Sequence, residues 1–307
     1  MQHNNGKAYT ALCITSIIWG TTWVASKIGI HSMPALQMAS VRQLIAGFCF
    51  VFFFMGLRKY PLPTRAQFKW IFIMAMLMFV MANGLSTWSL TYMPTGLSAL
   101  IGALYPLSVV LIERIFFGSK KITPITMAGL LLGITGVGIV FSENVFTHTA
   151  ASYGKGLTLA VIAMLSWSLG SVFISRNKSD LNPYYSTGWQ MVISSVMLFI
   201  AAVATGQRIP LSSFTIEGWL VIAYLVLLGS VLSFIAFIYT LKKLPPALSS
   251  IYAYINPLVA MATAALVLGE KLTAYMAWGA LVTMTGVYLV NYSVHREAKK
   301  STPLPEQ

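Results

Sequence analysis

Ten stretches of this sequence are long and apolar enough to cross a lipid bilayer, and that repetition leaves few folds open. A helix needs about 20 predominantly apolar residues to span the hydrocarbon core. There, only structures that satisfy their own backbone hydrogen bonds are stable. Runs of that kind cover roughly 8–28, 33–56, 68–91, 95–117, 123–141, 155–175, 184–205, 217–241, 246–268 and 272–294. The expected fold class is an all-α membrane protein with ten transmembrane helices. Charge agrees: 9% of the 307 residues are charged, against about 25% in soluble domains. The first run follows Lys7 as a signal peptide would. It continues through Trp19, Trp23 and Lys27 without a small-x-small cleavage site, so it is expected to stay as a helix.

The runs are separated by short breaker segments such as Arg58–Pro63 and Arg176–Asp180, and none has room for a soluble domain. The expected organisation is a short N-terminal segment 1–7, a five-helix unit 8–141, a connection 142–153, a second five-helix unit 154–294 and a disordered polar tail 295–307. The formal charge of +13 does not indicate nucleic acid, because the basic residues are scattered through short loops. With the N-terminus inside, fifteen Lys and Arg fall on the inner side and four (Lys27, Lys155, Arg208, Lys271) on the outer. This positive-inside bias predicts that both termini are cytoplasmic.

Several function classes are excluded by what the sequence lacks. Cys13 and Cys49 lie within apolar runs and read as small buried hydrophobes. His3, His31, His148 and His295 fall in loops or tails, without the partners that a catalytic or metal site needs. No Gly-x-x-x-x-Gly-Lys-Ser/Thr loop for nucleotide is present. Neither an enzyme nor a metal or cofactor is expected; the expected partners are the lipid bilayer and a small-molecule substrate, with proton or ion coupling left open.

The two five-run units resemble one another. Met93-Pro94-Thr95-Gly96-Leu97-Ser98 aligns with Leu244-Pro245-Pro246-Ala247-Leu248-Ser249, and at the same offset Tyr105-Pro106-Leu107 aligns with Asn256-Pro257-Leu258 and Gly118 with Gly269. Thr135-Gly136-Val137 matches Thr285-Gly286-Val287, and Trp19 corresponds to Trp167. Five crossings per unit place the second unit in the membrane upside down relative to the first. Inverted repeats of this kind are built for alternating access to a midplane site.

With these motifs in hand, the chain resembles the EamA family of the drug/metabolite transporter superfamily over about residues 8–294. The resemblance is carried by Ile18-Trp19-Gly20-Thr21-Thr22-Trp23-Val24-Ala25-Ser26-Lys27, by Arg42 in the second run, and by Leu268-Gly269-Glu270-Lys271-Leu272-Thr273 after the ninth. In the first unit the last motif reads Gly118-Ser119-Lys120-Lys121, without the glutamate. The resemblance implies a secondary carrier of the bacterial inner membrane that exports amino acids or related metabolites, the alternatives being efflux of toxic compounds or metabolite uptake. It also implies a central cavity lined by helices 1, 3, 4, 6, 8 and 9, with helices 5 and 10 peripheral. The small multidrug-resistance relatives use a glutamate in their first helix, which this chain lacks there.

Candidate site residues follow from polar or ring-bearing side chains at membrane depth. Pro106 and Pro257 sit at matching depths and are candidate hinges, since proline removes a backbone donor and bends a helix. Tyr105, Tyr252 and Asn256 beside them, Trp19 with Thr22 on the same helical face, Trp167 with Ser171, and more weakly Asn83 and Trp88, are expected to line the cavity. Lys27, Arg42 and Glu113 are charged groups within the runs, and such groups mark pathways or coupling sites. Glu113 reads more simply as a rim salt bridge, and Lys27 as a side chain reaching the interface. The positive balance of intramembrane charge favours neutral, zwitterionic or anionic substrates. Gly129 and Gly133 form a small-xxx-small pair for close helix contact.

Overall fold

The computed structural model describes residues 6–118, 122–145, 150–176, 180–244, 248 and 251–300. Among them the regular elements are helical, without a strand. The main helices are α1 (Gly6–Ser32), α2 (Ala35–Leu57), α3 (Arg65–Ser89), α4 (Thr95–Phe117), α5 (Pro124–Val145), α6 (Ala150–Arg176), α7 (Pro183–Ala204), α8 (Ile216–Lys243), α9 (Tyr252–Leu268) and α10 (Ala274–Lys300). Eight of them, α1 to α8, are long and apolar enough to cross a bilayer, and α9 is a shorter apolar helix.

Helix ends are written in local chemistry. Thr64 accepts from the Gln67 amide while the Gln67 side chain returns to the Thr64 amide, a capping box that starts α3. Asn182 caps α7 through the amides of Tyr184 and Tyr185, and Thr215 caps α8 through Gly218. The helices α4 and α9 both stop at a glycine in the left-handed region, Gly118 (φ 62°) and Gly269 (φ 67°). A residue with a Cβ adopts that conformation only at a cost, so the two aligned glycines perform one structural task.

Three of the long helices contain wide i→i+5 turns: the end of α2 (Phe52–Leu57), the middle of α3 (Ala75–Gly84) and the middle of α8 (Leu225–Leu232). The helix α4 is interrupted at Ala103–Leu104, and Pro106 lies in the first turn of its second part. By contrast α9 runs unbroken through Pro257. The hinge expected at both prolines is therefore a break only at Pro106.

The outer surface is apolar. Phe48, Phe52, Ile115, Phe116 and Leu266 are exposed, Leu266 by 85%, and such a belt is stable only against lipid. Cys13 and Cys49 lie on this surface as free thiols, not buried as expected, because lipid satisfies an apolar run as well as a protein core does.

Helix pairing is specific. The strongest pairings join α5 with α10, α2 with α7 and α1 with α8; α6 packs on α3 and α4, and α1 also on α9. The α5–α10 contact is glycine to glycine. A Cβ at Gly136 would lie 2.6 Å from the Gly279 carbonyl oxygen, and one at Gly286 would lie 2.5 Å from that of Gly129. The small-residue pair of α5 thus serves contact within the chain.

Around the segment boundaries expected from sequence, α5 reaches Val145, α6 starts at Ala150 and α10 runs to Lys300. His3, His148, Lys120, Lys121, Lys178 and Pro245–Ala247 lie outside the described residues.

Gly286→Ala should destabilise the fold by about 2 kcal/mol through overpacking against backbone, read as a thermal midpoint several degrees lower in detergent. Gly138→Ala, where an added Cβ meets nothing within 4 Å, should leave it unchanged or slightly raised.

Candidate substrate cavity

A cavity of about 180 Å³ lies among α1, α2, α3, α4, α6, α8 and α9. Of the residues singled out from sequence, Trp19, Thr22, Arg42, Asn83, Tyr105, Trp167, Tyr252, Asn256 and Pro257 line it. They come from helices far apart in the chain, so the fold alone assembles them. No residue of α5, α7 or α10 contributes to the wall.

Aromatic rings form much of that wall. Trp19 stands edge-on to Trp167 with centroids 6.1 Å apart, to Tyr252 at 5.4 Å and to Phe234 at 5.3 Å. Tyr105 and Tyr252 stack at 6.0 Å. The Trp19 indole is held by its Nε1–H, which donates to the Gly229 carbonyl (3.1 Å). The Trp19 N–H is thus engaged within the protein, as buried indoles generally require. Trp23, one turn on, donates from Nε1 to Asn256 Oδ1 (3.0 Å) and joins α1 to α9 across the cavity.

The wide turns supply polar wall. In α3 the Asn83 carbonyl accepts from the hydroxyls of Ser86 and Thr87 (3.0 and 2.8 Å), and Asn83 Oδ1 accepts from Gln43 Nε2 (3.0 Å). In α8 the consecutive residues Gly229 and Ser230 receive Trp19 Nε1 and Arg42 Nε, the latter at 2.9 Å. Widened turns of this kind recur at functional sites, because they free backbone groups from the helical ladder. Pro106 and Pro257 have no N–H to close a turn on the carbonyls of Gly102 and Ala253, and both of those residues line the cavity.

Five sequence candidates are not among its lining residues: Pro106, in the first turn after the break in α4, and four others. Trp88 packs beside Leu36, Ala39, Leu198 and Ala202 under the Lys155 ammonium, which sits 5.0 Å from the ring centroid. The Ser171 hydroxyl returns to the Trp167 carbonyl of its own helix (2.8 Å). Glu113 makes its ion pair with Arg176 at 3.8 Å, across to α6 and not with the neighbouring Arg114. Lys27 donates to the carbonyls of Leu90 and of Met93 (3.2 Å) at the C-terminal end of α3.

That last contact has a counterpart the sequence reading missed. Glu270 accepts from the amides of Thr95 (2.9 Å) and Gly96 (3.3 Å), the first turn of α4. The turn between α3 and α4 is thus held by a cation on the carbonyl end of one helix and an anion on the amide end of the next, as helix dipoles favour. Glu270 stood out as part of a motif, but a motif does not say which distant helix its carboxylate reaches. Trp23, Ser86, Thr87, Ser98 and Phe234 also line the cavity without having been singled out as site residues. Trp23 was legible as the next turn after Trp19; Phe234 was not, since nothing distinguishes it from other apolar residues of its run.

Glu270→Ala should remove both amide contacts and cost about 1 kcal/mol. A lowered thermal midpoint in detergent, largely retained in Glu270→Gln, would check this.

The model of the EamA-like transporter family matches the chain twice, over residues 6–142 and 154–292. The chain is 30% identical over 277 residues to the uncharacterized inner membrane transporter YedA of Escherichia coli strain K12, covering 89% of this chain and 88% of that one. It is 24% identical over 292 residues to the uncharacterized transporter YoaV of Bacillus subtilis strain 168 (94% and 98% covered). It is 26% identical over 281 residues to a probable amino-acid metabolite efflux pump of Escherichia coli strain K12 (89% and 91% covered). A solved crystal structure superposes with a TM-score of 0.64 at 14% identity, covering 95% of this chain and 99% of its own, and so shares the fold. A multi-pass membrane protein with this architecture and a family match in each half, the chain belongs to the EamA-like transporter family.

Proposed function

We propose that the chain is a secondary transporter of the inner membrane that exports amino acids or related metabolites by alternating access. The observation that carries this reading is the cavity walled jointly by α1, α3 and α4 of the first half and α6, α8 and α9 of the second. A site shared between two repeats changes its exposure when one half rocks against the other.

The further parts of the reading are ten crossings, two inverted five-helix repeats and cytoplasmic termini. The double family match supports the repeat. So does the pairing of helices: α1 on α8 and α9 mirrors α6 on α3 and α4, while α2–α7 and α5–α10 map onto themselves when the halves exchange. Five crossings per half would invert the second repeat, and the fifteen-to-four distribution of Lys and Arg supports cytoplasmic termini. The export of amino-acid metabolites is supported by the relative named for it, and the inner-membrane location by YedA. Lys27 and Glu113 hold partners away from the cavity; a coupling role would fall to groups at its wall.

Purified protein in proteoliposomes loaded with labelled amino acids and nucleobases tests the reading, with and without a pH gradient. Protein-dependent release of an amino acid is expected. Asn256→Ala, which frees the Trp23 indole N–H from its partner, should slow it about tenfold, the equivalent of one lost hydrogen bond in a dry site. Absence of release for every compound would refute it.

A further inference from the structure

We propose that the cavity binds small organic acids, with the Arg42 guanidinium receiving the carboxylate; this rests on the cavity being the transport site. Arg42 is 6% exposed and belongs to α2, well inside a span. Its Nε donates to Ser230 Oγ, and among the described residues its two terminal nitrogens have no hydrogen-bond partner and no carboxylate in ion-pairing range. Among the described lining residues it is the only charged one. A guanidinium held in a low-dielectric interior without a counter-charge is costly, and a bound carboxylate relieves that cost.

The geometry suits this ligand. With Nε committed to Ser230, the open end of the fork is the Nη1–Nη2 pair, which matches the two oxygens of a carboxylate. Gly229 lets the guanidinium and Thr22 pack close to α8, since a Cβ there would lie 3.3 Å from Nη2 and 2.7 Å from Thr22 Cγ2, and Arg42 and Thr22 both line the cavity. Trp19, Trp167, Phe234, Tyr105 and Tyr252, which line the same cavity, offer ring surface to an apolar or aromatic body. No described lining residue is acidic, so an ammonium group on the ligand meets no ionic partner among them: the site recognises the acid and not the amine. The charge is also one-sided. Arg42 lies seven residues beyond the first residue of α2, and the place seven residues into α7 holds Gln190, whose Nε2 donates to Ser186 Oγ (3.0 Å).

The test measures binding to the full chain in detergent, through quenching of indole fluorescence, for four probes: 3-phenylpropionate, L-phenylalanine, 3-phenylpropanamide and 2-phenylethylamine. Wild type should bind the first two with similar affinity and the last two at least about tenfold more weakly, the equivalent of a charged hydrogen bond. Arg42→Gln should bring acid and amide to the same affinity, and Arg42→Lys should keep part of the difference. The comparison of acid with amide on wild type needs no variant, so a folding defect in Arg42→Gln leaves the test intact. Equal affinity of acid and amide in wild type, an acid preference that survives in folded Arg42→Gln, or no binding of any probe overturns the proposal. Arg42-dependent binding of acids without movement of any compound in proteoliposomes would overturn the transport reading and leave this site standing. Transport of neutral or cationic compounds alone would do the reverse.

Discussion

Hydrocarbon offers no hydrogen bonds, and nearly everything in this structure follows from that. Each backbone amide and carbonyl at membrane depth must find its partner within the protein, which is why the described residues fold into helices. One wide turn, Phe52–Leu57, stands at the exposed end of α2; the other interruptions are placed inward. The wide turns of α3 and α8 and the break in α4 would be costly facing lipid. They occur where Asn83, Gly229, Ser230 and Gly102 border the cavity or hold its wall. Irregular backbone and polar lining are thus one feature, and each makes the other tolerable.

The same constraint changes what holds the helices together. Burying an apolar side chain against another helix gains little over burying it in lipid, so association depends on close backbone approach and on polar contacts between helices. Gly129, Gly136, Gly279 and Gly286 supply the first between α5 and α10. Trp19 on Gly229, Trp23 on Asn256, Gln43 on Asn83 and Arg42 on Ser230 supply the second around the cavity. Outside these contacts the chain shows lipid a belt of leucine, isoleucine and phenylalanine, where even a cysteine is unremarkable. The two sets also divide the labour. The glycine contact joins α5 and α10, which supply no described lining residue, whereas the polar contacts lie around the cavity.

Much of this was legible in the chain. Length and hydropathy located the helices to within a few residues for most of them, because about 20 apolar residues have few other uses. Internal similarity between the segments around Tyr105 and Asn256-Pro257, and between Trp19 and Trp167, pointed to residues that line one cavity. What the sequence left undecided is equally physical. Trp88 and Ser171 share residue types and depth with the lining residues, but helix rotation turns Trp88 beneath Lys155 and ties Ser171 to its own helix. Arg114 is the sequence neighbour of Glu113, yet Arg176 on another helix is its partner. Proximity along a helix does not bring side chains at i and i+1 together.

The sequence by itself determined which segments are helical, where caps and left-handed glycines end them, and that the chain is a membrane protein of two similar halves. These depend on local chemistry and on periodicity, which a single segment carries in full. Tertiary structure alone decided which face of each helix turns inward, that Glu270 reaches the start of α4, that Trp19 spends its N–H on α8, and that Arg42 opens onto the cavity beside Thr22. Those outcomes depend on the rotation and register of helices up to 233 residues apart in sequence, as for Trp23 and Asn256, and no local pattern encodes an angle between two helices.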